Sequence, residues 1–290
     1  MPDRQAVSLR VGLYVLLTFA FSAYFDYRVI RAGHLDAAGG LWVVGLMWCP
    51  AAAAIGASLL TGRSLREIGW RWSWRYAGLA YGIPLAYALV AYGAAWALGF
   101  CRVPDPVFAA ALYVRFPRGS PGASIGEFLL LQATVGVLFA CLTGLGEEIG
   151  WRGFLVPELS RRASLPRTAL ISGAIWAAWH YPVLVFADYN GGTRTWFSLL
   201  CFTVLVLGMS FVFAWIRLAS GSVWPAAILH GSHNLWVQEV FDPLTGDTGM
   251  TSWILGEFGV ALALAAVVAG WLAWRAGRRL APLAETEAAA

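Results

Sequence analysis

Three short groups of polar residues sit inside otherwise apolar stretches, and through them this chain could do chemistry. The densest is Gly144-Leu145-Gly146-Glu147-Glu148-Ile149-Gly150-Trp151-Arg152. On a helix Glu148 and Arg152 are four residues apart and stack on one face, acid before base, the better order for an ion pair. Glu147 is turned roughly 100° away from that face. The two acids are therefore not equivalent: Glu148 reads as a structural partner kept ionised by Arg152, and Glu147 as a free carboxylate suited to general-base work. The second group is Trp176-Ala177-Ala178-Trp179-His180, where the Trp176 ring can lie against the His180 imidazole four residues on. In the third, His230-Gly231-Ser232-His233-Asn234, His230 and Asn234 share a face as two donors able to converge on one oxygen. Ser232 points away from its histidine neighbours and makes a poor nucleophile.

The elements that carry these groups follow from composition. Of the 290 residues, 59% are hydrophobic and only 12% charged, far too few charges for a water-facing surface and the balance a bundle of lipid-facing helices needs. The expected fold is an all-α, polytopic transmembrane helical bundle in a single domain over 1–290. Eight apolar runs approach the roughly 20 residues that cross a bilayer: Val11 to Tyr24, Leu41 to Thr61, Tyr76 to Phe100, Ile125 to Leu145, Thr168 to Phe186, Trp196 to Ile216, Val223 to Phe241 and Trp253 to Trp274. The first, lacking a small-residue cleavage site, reads as an uncleaved signal anchor. Every basic residue is Arg. With the N-terminus in the cytoplasm only six of the twenty fall outside, Arg28, Arg31, Arg102, Arg115, Arg118 and Arg194, so both termini are expected inside. The Arg63 to Arg75 stretch, interleaved with Trp70, Trp72 and Trp74, reads as an interfacial anchor with no nucleic acid as partner. The isolated Cys49, Cys101, Cys141 and Cys201 read as unpaired thiols, most of them packed in apolar segments.

Ionisable residues inside a membrane are costly and mark function. Counted along their spans, Glu147, His180 and His230 reach similar depth, which fits a water-filled cavity open to the cytoplasm. A double Glu followed by Arg, an aromatic-xxx-His and a His-xxx-Asn, in that order on successive apolar segments, resembles the CAAX protease and bacteriocin-processing family of intramembrane proteases, which includes type II CAAX prenyl endopeptidases and the Abi proteins. The resemblance covers about Glu147 to Asn234, with 125–241 as the expected catalytic core. It implies that Glu147 and His180 activate water, that His230 and Asn234 form an oxyanion hole, and that Glu148, Arg152 and Trp176 support the site. Trp176 stands where the family usually has Phe. The implied activity is endopeptidase cleavage of membrane-associated or lipidated peptides or proteins; a bacterial inner membrane is the expected setting, lipids are further partners, and the ligand types point to a site without cofactor. Glu147, His180 and His230 are also acceptable zinc ligands, so a zinc metalloprotease is the alternative, although no HExxH is present. A non-catalytic transporter or scaffold is the alternative of another class. Glu127, Glu239 and Glu257 read as interfacial acids; Asp188, Asp242 and Asp247 as outer-connection residues without a partner pattern. His233 reads either as support for the site or as a bond between helices.

Overall fold

The computed structural model describes residues 4–278; Arg279, counted above with the inner arginines, lies outside them. The described chain is helical, and besides one isolated bridge between Arg102 and Gly246 it contains no strand. The main helices are α1 (Arg4–Ala32), α2 (Leu41–Thr61), α3 (Trp74–Ala97), α4 (Pro106–Arg115), α5 (Pro121–Ser160), α6 (Leu165–Phe186), α7 (Thr195–Ser220), α8 (Trp224–Asn234, continued by Leu235–Phe241) and α9 (Val260–Gly277).

Among the described residues seven of these helices are long and apolar enough to cross a membrane: α1, α2, α3, α5, α6, α7 and α9. The expected seventh, Val223 to Phe241, is helical from Trp224 and continues through a π-helical stretch, Leu235–Phe241, but His230, His233, Asn234, Gln238 and Glu239 leave it too polar to count among them. The first run proves far longer than Val11 to Tyr24, because the polar residues flanking it continue the same helix. The fourth also exceeds expectation. α5 runs past Leu145 to Ser160 through two π-helical turns, Gln132–Gly136 and Trp151–Leu155, so the Glu-Glu motif sits within the helix and not at its end.

Helix starts follow local chemistry. Asp105 accepts from the Phe108 amide at 2.8 Å and Ser120 from the Ala123 amide at 3.2 Å, each just before a Pro at the first helical position. Lipid-facing positions are apolar: Leu59, Leu60, Val90, Leu138 and Phe139 are exposed, as a bilayer solvent permits.

Helix α1 packs on α2, α2 on α5, α5 on α8, α8 on α3, α6 on α7 and α7 on α9. Small residues bring the functional helices together. A Cβ added to Gly231 on α8 would meet the Cys141 amide nitrogen of α5 at 2.5 Å, and one added to Gly150 would meet Pro50 of α2 at 2.5 Å. Glu147 is thus held between two helices that approach at backbone distance.

Connections alternate between the two ends of the bundle. At one end Arg10, Arg63, Glu67, Glu158 and Arg161 pair, with Arg63 Nε 3.1 Å from Glu158 Oε1 and Arg161 3.0 Å from Glu67. Arg162 reaches Ser8 at this end, and Leu165 lies beside Gly277, so the two ends of the described chain lie together here. At the other end the connections 33–40 and 187–194 meet through the Leu35 amide and Asp188, 3.0 Å apart.

Candidate active site

The apolar face of α5 carries Glu147 and Glu148 into the centre of the bundle, where they are 2% and 0% exposed. Burial of two adjacent carboxylates demands partners. Glu148 Oε1 takes Arg152 Nη1 at 2.9 Å, the expected ion pair one turn on, and also His230 Nδ1 at 2.9 Å. Arg152 is itself enclosed, its guanidinium 3.8 Å from the Phe213 ring centre and 4.2 Å from that of Trp176, contacts that favour a buried cation.

Glu147 is not the unpartnered carboxylate that the sequence implied. Its Oε2 accepts from Trp176 Nε1 at 2.8 Å and Trp151 Nε1 at 3.2 Å, while Oε1 faces His230 Nε2 at 4.0 Å. The aromatic four before His180 therefore does two things. Its ring lies edge-on to the imidazole at 5.8 Å, as the spacing predicted, and its N–H holds the acid, which spacing within one helix could not reveal.

His180 Nδ1 lies 2.9 Å from the Trp176 carbonyl. A carbonyl only accepts, so Nδ1 carries the proton and Nε2 of the neutral ring is left with a lone pair. His230 donates from Nδ1 to a carboxylate, so a donor at its Nε2 requires the doubly protonated ring. Glu148 thus orients His230 as well as pairing Arg152, a second role that sequence alone did not assign.

These side chains line one cavity of about 150 Å³, whose walls include Glu147, Trp176, His180, His230 and Asn234 among apolar residues such as Leu46, Phe202, Val206 and Met209. The structure thus brings Glu147, His180, His230 and Asn234 to a common space from α5, α6 and α8. Glu148 and Arg152 stay behind it.

A second polar group lines the same cavity. His233 Nε2 bonds Glu257 Oε1 at 2.7 Å, its Nδ1 meets the Tyr87 hydroxyl, and Tyr189 donates to Glu257 Oε2 at 2.6 Å. Glu257 is 6% exposed, not the interfacial acid expected, because the chain turns at Gly256 (φ 75°) and carries it inward before α9 begins. His233 therefore ties α8 to α3 and to the α9 approach. Asp188 and Asp242 also have partners, the Leu35 amide and the Tyr92 hydroxyl; no sequence spacing links either pair.

Arg217 was legible only as one basic residue among many. Its Nε donates to the Arg152 carbonyl at 2.7 Å and its Nη2 to the Glu67 and Ile68 carbonyls at 3.2 Å each. It thereby fastens the π-helical turn after the Glu-Glu motif, where regular i→i+4 bonding is interrupted.

Residues 129–236 match the model of the Rce1-like family of type II CAAX prenyl endopeptidases. The similarity to this family model is confined to that segment. The segment contains Glu147, Glu148, Arg152, Trp176, His180, His230 and Asn234. CAAX prenyl protease 2 of Methanococcus maripaludis is 31% identical over 150 residues, covering 49% of this chain and 52% of that protein. The chain thus spans about half the length of the curated relative it matches. In the matched segment no three His, Cys, Asp or Glu side chains form a group that could hold a metal ion, nor do they elsewhere among the described residues. The residues present do not fit a zinc site as they stand, and no step below is routed through a metal.

The cavity has an aspect that the sequence did not anticipate. Its walls take residues from the connections 33–40 and 187–194 and from Glu257, and none from the connections 62–73, 161–164 or 221–223 at the Arg-rich end. The cavity thus lies nearer the end of the bundle that holds the connections 33–40 and 187–194 than the Arg-rich end.

Proposed function

We propose that this protein is an intramembrane endopeptidase that hydrolyses peptide bonds of membrane-associated substrates, with a prenylated C-terminal peptide as the substrate class that the match to CAAX prenyl endopeptidases suggests. The observation that carries the reading is the convergence of Glu147, His180, His230 and Asn234 on one mostly apolar cavity. In the reaction Glu147 takes a proton from water, assisted by the Nε2 lone pair of His180, and the water oxygen attacks the scissile carbonyl carbon. His230 and Asn234 donate to the carbonyl oxygen as it becomes negative, the charge such donors stabilise most when fixed in advance. Glu148 accepts from Nδ1 of the doubly protonated His230 as well as from Arg152, and so holds Nε2 of the imidazole toward the cavity. Glu147 then returns the proton to the departing amine.

The apolar walls suit a lipid or hydrophobic side chain next to the scissile bond. We place the catalytic core at 125–241 and the protein in a bacterial inner membrane. The mechanism uses no cofactor. The test is cleavage of a quenched-fluorescent peptide library by detergent-purified protein, wild type beside Glu147→Ala and His180→Ala, with and without a strong chelator. Cleavage that both variants lose and the chelator spares supports this reading. Cleavage that the chelator abolishes and zinc restores would convert the same residues into metal ligands, and wild-type protein that cuts nothing would favour a transporter or scaffold.

A further inference from the structure

The two oxygens of Glu147 have different surroundings. Oε2 receives both indole N–H groups, from Trp176 at 2.8 Å and Trp151 at 3.2 Å, whereas Oε1 is turned toward His230. Both indoles are buried, at 7% and 1% exposure, and neither is free to swing. Trp151 stacks edge-on against Tyr14 at 5.8 Å and Trp179 at 5.8 Å. Trp176 is held by Arg152 against one face and by edge contacts to Phe213, His230 and His180 at 5.4–5.8 Å. An indole nitrogen can only donate, so two of them on one oxygen fix the carboxylate plane and occupy that oxygen. A Phe ring at position 176 would keep an aromatic ring among these neighbours and lose the N–H together with part of the indole's packing.

We propose that Trp176 and Trp151 are positioning residues that reserve Oε2 of Glu147 for structure and leave Oε1 as the oxygen that handles the proton. The inference rests on the hydrolase reading above. In it a water O–H bond breaks as its proton passes to Oε1, and the water oxygen forms a bond to the scissile carbonyl carbon while the carbonyl π pair moves onto oxygen. When the tetrahedral species collapses, the C–N bond breaks and the proton on Oε1 goes to the leaving amine. A carboxylate free to rotate would spend part of its time with neither oxygen aimed at the water, and the loss falls on the chemical step and not on substrate binding.

Trp176→Phe tests this directly. Hydrogen bonds to charged groups are the stronger class, so kcat is expected to fall about 10- to 100-fold. KM should stay within about twofold, and the melting temperature should fall by only a few degrees, since a ring still fills most of the site. Trp151→Phe should act the same way, and the double variant should lose more than either, because in each single variant the remaining N–H restrains Oε2 only in part. An independent readout is the indole 15N–1H spectrum of tryptophan-labelled protein: Glu147→Ala should move two indole resonances, assigned by their disappearance in Trp176→Phe and Trp151→Phe. Unchanged kcat in Trp176→Phe, or a raised KM at constant kcat, would overturn the positioning role. Resonances indifferent to Glu147→Ala would overturn the hydrogen bonds themselves. Wild-type protein that cleaves nothing would instead count against the hydrolase reading, and the spectrum separates that failure from this one.

Discussion

Arg152 is 1% exposed and Glu148 0%, and they are bonded at 2.9 Å in the middle of the bundle. Replacing Arg152 by Met keeps much of the volume and the contacts with Trp176 and Phe213, but strands a buried carboxylate whose remaining partner is His230. Breaking a buried pair in this way costs about 3–5 kcal/mol. At about 2–4 °C per kcal/mol for a chain of this order of size, the melting temperature should fall by about 6–20 °C. Thermal unfolding in detergent, followed by tryptophan fluorescence, measures it. The second half of the experiment is the compensating change: Glu148→Gln with Arg152→Met removes both charges, so the double variant should recover part of the loss. A single variant as stable as wild type would refute the reasoning, and so would a double variant less stable than Arg152→Met, since either shows that the uncompensated charge is not what destabilises.

Gly231→Val should sharply reduce the yield of folded protein, because its Cβ would meet the Cys141 amide nitrogen at 2.5 Å, and size-exclusion chromatography shows the outcome; a monodisperse, active variant would contradict the close α5–α8 approach. Glu257→Ala should lower stability by about 1–3 kcal/mol for each of His233 and Tyr189 left buried without its partner, and Glu257→Gln should recover part of it, its amide oxygen accepting from one of them while its NH2 can only donate. Reporter fusions or single-cysteine labelling in the connections 62–73 and 242–252 should read on opposite faces, the first cytoplasmic as the Arg excess requires. The reverse assignment would contradict the orientation read from the Arg excess, and both connections on one face would contradict the bundle.

Composition made the helical membrane class plain, and the i,i+4 pairs Glu148–Arg152 and Trp176–His180 were legible because a helix fixes the spacing of neighbours on one face. What could not be read were contacts between helices. Nothing in the spacing of 148 and 230 says that Glu148 orients His230, nor that Trp176 reaches across from α6 to Glu147. Glu257 looked interfacial because it stands near a span end; a turn at Gly256 carries it inward, and one residue's backbone angle is not a property of hydropathy. The π-helical turns escaped for the same reason, since hydrophobic periodicity does not distinguish a widened turn from a regular one. Depth counted along single spans placed Glu147, His180 and His230 together, but which connections border the cavity depends on how the helices pack, and spacing does not carry that.

The most direct test of the account is hydrolysis of a farnesylated C-terminal peptide by protein reconstituted in liposomes, wild type beside Glu147→Ala, with the unprenylated peptide as control. The account predicts release of the peptide beyond the prenylated residue by wild type, a loss of at least about a hundredfold in the variant, and much slower cleavage of the control. Equal cleavage by wild type and Glu147→Ala would contradict it.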